Sequence, residues 1–278
     1  SKVMLWWEQG IGDQIRFWSA LPLFQKEFPN LVLEPMAKTY EIISSSFPDL
    51  NVRYGNLNVD DLTSYEEDFD YHLPIGTMFH YIISKHVHEL ENYDFTLNLK
   101  YLKPDKLRKL FWKDKLADLS NKPKIGFCWR SKNNGGQRKK EYTELEHWNT
   151  LFKKSEYDFV NLQYDLSHEA FKKQFPDTAK YFLNTGHLDQ MDDLEGALAL
   201  ISNLDLVITA STAPCSIASA SGVNTIIYSS PHLFTYGRWE KFAACPFFAN
   251  ARNYLTDDPS IDPDLVKDIT KQIVNFLN

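Results

Sequence analysis

The residues best placed to do chemistry stand near the start of the chain. Gly10-Ile11-Gly12-Asp13 follows the apolar run Val3-Met4-Leu5-Trp6-Trp7 and precedes an amphipathic stretch holding Ile15, Arg16 and Phe17. An apolar strand, a glycine turn and a helix start, in that order, are how α/β proteins turn backbone N–H groups toward an anionic ligand. Gly10 and Gly12 allow close approach of a ligand and a positive φ, and they equally suit a plain strand-to-helix turn. Asp13 adds negative charge where an anion would bind. Its carboxylate is either the N-cap of the helix or a general base. Arg16, one helical turn on, can pair with Asp13, meet a phosphate or stay solvated.

Further candidates lie at other strand ends in the second half. Trp129-Arg130-Ser131-Lys132 opens a polar loop that runs through Gly135-Gly136 to Arg138-Lys139-Lys140. Loops at the carboxyl ends of parallel strands bind ligands, and Trp129, Arg130, Ser131 and one of Arg138, Lys139 or Lys140 are the candidates here; the alternative is an exposed basic loop. Ser211, Thr212 and Ser216 surround another helix start, where hydroxyls and N–H groups make an anion site. Gln163 and Tyr164 end a strand and reach a base or ribose, or else belong to the core or its rim. Asp192-Asp193 opens a helix, so Asp192 is a cap or a ribose contact. Arg238-Trp239 is placed at a cleft rim. Asp68-Phe69-Asp70 spells a metal-binding pattern but sits in a solvated acidic stretch, and no metal or cofactor is expected.

The elements that must position these residues alternate. Strands are predicted over 3–7, 31–34, 51–54 and 71–73, with helices over 13–28 and 40–47; Pro22 interrupts the first helix. Residues 102–121 are rich in Lys and Asp and carry no long apolar strand. A second series opens with a strand at 124–129 and continues with strands at 159–163, 181–183, 206–209 and 225–228. Helices at 143–153, 192–203 and 213–221 fall between them. Residues 261–277 have the spacing of a terminal amphipathic helix. Two successive series joined near residue 120 give an α/β fold of two doubly wound, Rossmann-like domains facing a cleft, 1–120 and 121–278, the last helix packing back on the first domain.

Bulk properties exclude several classes. The chain has 278 residues and a hydrophobic content of 43%, enough for two cores. A net charge of −7 argues against general nucleic-acid binding, which needs a basic face. Three widely spaced cysteines read as free thiols in a reducing, cytoplasmic compartment. No apolar run reaches the ~18–20 residues that span a bilayer. The start at Ser1, directly on a strand, reads as a cut from something longer.

In order and spacing these pieces resemble a known group. Glu8-Gln9-Gly10-Ile11-Gly12-Asp13, Ser46-Phe47-Pro48, Phe69 through Gly76, Ile125 through Ser131, Val160 through Asp165, Asp192-Asp193-Leu194, Leu204 through Thr209 and Gly237-Arg238-Trp239 are similar to the glycosyltransferase domain that follows tetratricopeptide repeats in many bacterial proteins. That domain is related to the heptosyltransferase-like family nine and shares its GT-B fold. The resemblance implies transfer of a sugar from a nucleotide-sugar donor, held mostly by the second domain, to an acceptor hydroxyl on a protein or glycan. It implies Asp13 as base, no metal, and donor phosphates against the 130–140 loop and the 211–216 turn. It also implies an N-terminal helical-repeat region. Where relatives carry an Asp-Thr pair and then a His, this chain has Ser211-Thr212 and Ser216. That change leaves a binding module without catalysis, or a GT-B epimerase, as alternatives.

Overall fold

The computed structural model describes residues 1–54, 69–86, 100–133, 135–230, 242–245 and 247–277. The first series gives β1 (Val3–Trp6), α1 (Ile11–Trp18), α2 (Leu21–Glu27), β2 (Leu31–Glu34), α3 (Tyr40–Ser46), β3 (Asn51–Val52), β4 (Tyr71–Pro74) and α4 (Ile75–Lys85). Their strands form a four-stranded sheet in the order β3-β2-β1-β4, parallel throughout. The expected 13–28 helix is two helices. Ser19 and Ala20 separate them, and Pro22 sits in the first turn of α2, where its missing N–H costs nothing.

The second series begins after α5 (Lys106–Leu119). Asp105 caps α5, its side chain accepting from Arg108 N at 2.8 Å. Then follow β5 (Lys124–Cys128), β6 (Asp158–Asn161), α6 (His168–Gln174), α7 (Leu194–Ile201), β7 (Leu206–Ala210), α8 (Ala213–Ser221), β8 (Thr225–Ser229), β9 (Phe242–Ala244), β10 (Ala251–Leu255) and α9 (Leu265–Leu277). These strands form a six-stranded sheet in the order β6-β5-β7-β8-β10-β9, parallel except for β9.

Side chains of this second sheet alternate between two cores. Ile125, Phe127, Leu206 and Ile208 face an aromatic core with Trp148, Phe152, Phe171 and Tyr228. Cys128, Val160, Val207 and Ile227 face the other way, into a core they share with Leu5, Ile15, Trp18 and Leu33 of the first series. That shared core is made chiefly where α1 packs on α8.

Several expectations are corrected. The strand at 181–183 is one bridge, Phe159 to Phe182. The helix at 143–153 divides into a 3-10 turn, Leu145–Trp148, and a short α-turn, Asn149–Phe152. The terminal helix starts at Leu265, leaving Ile261 76% exposed. Among the described residues it packs in the aromatic core of the second sheet, through Leu265, Ile269 and Ile273, where packing back on the first domain was expected.

Candidate functional site

The turn after β1 is built around two contacts. Gln9 takes φ 63, the only non-glycine residue with positive φ among the described residues, while Gly10 is extended at φ −80 and ψ 169. The left-handed residue is therefore Gln9 and not a glycine. Glu8 fixes the turn from outside: its Oε1 accepts from the N–H of Gly76 at 2.9 Å, in the first turn of α4. Gly12 has a different reason to be glycine. A Cβ there would stand 3.3 Å from Ala213 Cα and 3.4 Å from Ala213 N, so its absence lets the starts of α1 and α8 touch.

Gly10 is the N-cap of α1 and no side chain caps it, which removes Asp13 from the capping role. Asp13 lies in the first helical turn, where negative charge suits the helix dipole. Its Oδ1 accepts from Arg16 Nη2 at 3.1 Å, and its side chain keeps 41% exposure. Both residues line a cavity of about 450 Å³, a volume typical of small-ligand sites.

The opposite wall comes from the second sheet. Thr212 is the N-cap of α8, but its hydroxyl donates to Ala210 O at 3.2 Å instead of capping the helix. Ser211, Thr212 and Ser216 line the cavity with Gly10 and Gly12, so the N-termini of α1 and α8 open into one space. The turn Gly136–Glu141 brings Arg138 to the wall; Lys140, in the same turn, is not among the lining residues. Ser131 and Tyr164 line it too, Ser131 Oγ standing 3.0 Å from Tyr164 OH. Burial pushes the phenols of Tyr142 and Tyr164 up, and a hydrogen bond with Ser131 opposes this at each.

Other candidates hold the frame. Trp129 is 1% exposed and stacks in the aromatic core against Phe127, so it is no ligand platform. Fully buried Gln163 bonds across the loop: its Nε2 donates to Arg130 O at 2.9 Å and Asp165 Oδ1 at 2.7 Å, and its Oε1 accepts from Arg130 N at 3.2 Å. Arg130 Nη1 donates to Asp165 at 2.7 Å, which turns Arg130 into a brace between the β5 and β6 loops. Asp192 pairs with Lys38 from the first series, while Asp193 is the true cap of α7, accepting from Gly196 N at 2.8 Å. Arg238 and Asp68 lie outside the described residues. Asp70 accepts from Lys2 N at 2.7 Å. Among the described residues, no group of His, Cys, Asp and Glu is placed to hold a metal ion.

Sequence reasoning missed Lys38, Glu141, Tyr142 and Met191, which also line the cavity. Glu141 and Tyr142 follow directly on the basic run, a signal that was available. Glu141 is held in place by Ser230, whose N–H donates at 2.9 Å and hydroxyl at 2.5 Å. Nothing local marks Lys38 or Met191. Beside the cavity, Cys128 and Cys215 are buried; loss of hydration pushes their thiols up to about 11 and about 12, so neither is a nucleophile at neutral pH.

No family model matches the chain. It is 26% identical over 282 residues to protein FlbA of Caulobacter vibrioides, covering 92% of this chain and 43% of FlbA, so it spans less than half of that relative. A glycosyl transferase of family nine from Veillonella parvula superposes with a TM-score of 0.61 at 12% identity, covering 99% of this chain and 97% of that one. The ADP-heptose lipopolysaccharide heptosyltransferase II of E. coli gives 0.58 at 14%, covering 100% and 98%. E. coli heptosyltransferase WaaC with ADP gives 0.54 at 12%, covering 98% and 99%. At such identities the likeness speaks for architecture: the chain has an α/β fold similar to that of the family-nine glycosyltransferases.

Proposed function

We propose that the chain is a glycosyltransferase that moves a sugar from a nucleotide-sugar donor to an acceptor hydroxyl without a metal ion, with two Rossmann-like domains meeting near residue 120 in the GT-B manner. One observation carries the reading: the β1–α1 turn and the β7–α8 turn, from different sheets, share one cavity, and the Asp13 carboxylate opens into it. Asp13 takes the proton of the acceptor hydroxyl as its oxygen bonds to the sugar's anomeric carbon. The bond from that carbon to the donor phosphate breaks, and the phosphate leaves with the electron pair. Helix N-termini and the cations Arg16, Lys38 and Arg138 receive that charge. Ser131 and Tyr164 hold the donor from the β5 and β6 loops.

The acceptor hydroxyl belongs to a protein or a glycan, and a helical-repeat region outside this chain would bring it; the motif resemblance supports both. Buried thiols and a nucleotide-sugar donor suit the cytoplasm, and no described helix is long and apolar enough to cross a membrane. Asp13→Asn tests the base. Transfer by the variant, with donor nucleotides screened across CMP, UDP, GDP and ADP, should fall about 10²–10⁴-fold, the usual share of a general base. The thermal shift by the same nucleotide should persist. Undiminished transfer removes Asp13 from the role.

A second reading is a binding module of the same fold, favoured by the hydroxyls of Ser211 and Ser216 where a carboxylate and an imidazole are usual. Calorimetry separates the two: nucleotide binding without turnover of any donor supports the module, and no binding counts against both.

A further inference from the structure

Arg16, Lys38 and Arg138 line the cavity that holds Asp13, and they are held differently. Arg16 pairs with Asp13 at 3.1 Å, both of them lining residues, and Arg138 lies in the turn Gly136–Glu141. Lys38 instead pairs with Asp192, which does not line the cavity. Asp192 lines an adjoining hollow of about 410 Å³, with Tyr164, Gln190 and Met191 common to both walls. The pair therefore crosses the rim, its ammonium from the first series and its carboxylate from the second.

Both backbones are fixed without it. Lys38 sits in the 3-10 turn Ala37–Thr39, where Thr39 N and Oγ1 donate to Met36 O at 2.8 and 2.9 Å. Met36 N donates to buried Gln14 Oε1 at 3.3 Å. On the other side Asp189 Oδ1 accepts from Met191 N and Asp192 N, both at 3.0 Å, and Asp193 caps α7. Among the described residues the Asp192 carboxylate bonds to Lys38 alone. The two side chains keep 41% and 60% exposure, where an ion pair is worth little and is given up readily. A phosphate in the cavity offers the same ammonium a stronger partner, less screened by water and shared with two helix N-termini.

The next step rests on the donor site proposed above: we propose that Lys38 exchanges partners, holding Asp192 in the free protein and a donor phosphate in the complex. Asp192 is then a positioning residue, which keeps the ammonium at the rim and competes with phosphate for it. The exchange ties the first series to a donor that the second holds. It also distinguishes a phosphorylated ligand from a bare nucleoside.

Calorimetry on the chain tests this with whichever of CMP, UDP, GDP and ADP raises its melting temperature most. Lys38→Met should raise the dissociation constant about tenfold, and Lys38→Arg should keep most of the affinity. Asp192→Asn should lower it roughly threefold by freeing Lys38. Added to Lys38→Met, Asp192→Asn should shift it by well under twofold. The matching nucleoside should respond to none of these changes. Both side chains are exposed, so circular dichroism of every variant should match that of the parent chain. If Asp192→Asn loosens nucleotide binding with or without Lys38, Asp192 touches the ligand itself, at a ribose hydroxyl, and the exchange is overturned. An unchanged dissociation constant in Lys38→Met, or an equal effect on the nucleoside, overturns it too. A melting temperature that none of the four nucleotides moves is a separate failure, which removes the donor site and the exchange with it.

Discussion

Glu8 shows how much of the cavity wall depends on a residue outside it. Its carboxylate reaches across 68 positions to the Gly76 N–H, and a Cβ at Gly76 would lie 2.3 Å from Glu8 Oε1. The clasp holds Gln9 in a backbone region that a non-glycine residue enters only at a cost. Glu8→Ala should lose about 1 kcal/mol of stability in urea unfolding, the usual worth of a helix-start acceptor, and Glu8→Gln should keep most of it. Buried thiols make a second prediction at this scale. Cys128 and Cys215 rise from an ordinary 9.0 to about 11 and about 12 because burial disfavours the thiolate. Each holds its proton more tightly folded than unfolded, so their contribution is complete below about pH 9 and is lost as pH climbs through 11 to 12. Melting temperature should fall across that window. At neutral pH a thiol reagent should label neither residue until urea unfolds the chain.

Among the elements, the meeting of α1 and α8 is the most exacting, since Gly12 faces the Ala213 backbone and not a flexible side-chain end. Gly12→Val must push the two helices apart. It should cost roughly 1–3 kcal/mol in urea unfolding, as overpacking does, and weaken nucleotide binding by spreading the cavity wall. Both strand-to-helix turns were legible because an apolar run followed by glycines or hydroxyls and then a helix pattern is a local signal. The parallel strands were legible for the same reason: buried on both faces, they are nearly continuous apolar runs. Helices α4 and α5 were not: α5 leaves Leu107, Leu110 and Phe111 exposed, and its two buried residues, Trp112 and Leu116, make too thin a stripe. Strand β9 has only three residues and pairs antiparallel at the sheet edge, a placement set by β10 and not by its own sequence. At the site, Arg130 and Gln163 were legible as residues just past strand ends, but not as partners of each other and of Asp165. Their partner Asp165 becomes decisive only when the β5 and β6 loops meet.

At the scale of the molecule, the two sheets do not behave as separate bodies. One apolar core runs from Leu33, Leu5 and Ile15 of the first series through Cys215 and Leu198 to Val207 of the second. The segment before α5 ties across as well: Tyr101 N and Leu102 N both donate to Ala220 O, and the Tyr101 hydroxyl donates to Ile15 O. A polar seam lies over this core, with Ser45 Oγ donating to Glu195 at 3.0 Å, Arg108 pairing with Asp193 at 2.6 Å and Lys38 with Asp192. The two ion pairs of that seam are exposed and add little in salt. The apolar core holds the halves together, so calorimetry should show one transition with equal calorimetric and van't Hoff enthalpies. Ile15→Ala, in the first series, should remove about 2–5 kcal/mol and lower that transition whole. Leu198→Ala, in the second, should do the same. Added salt should move the midpoint far less than either substitution. Two resolved transitions, or an Ile15→Ala effect confined to one of them, would show halves that fold apart and leave the shared cavity to be assembled by ligand.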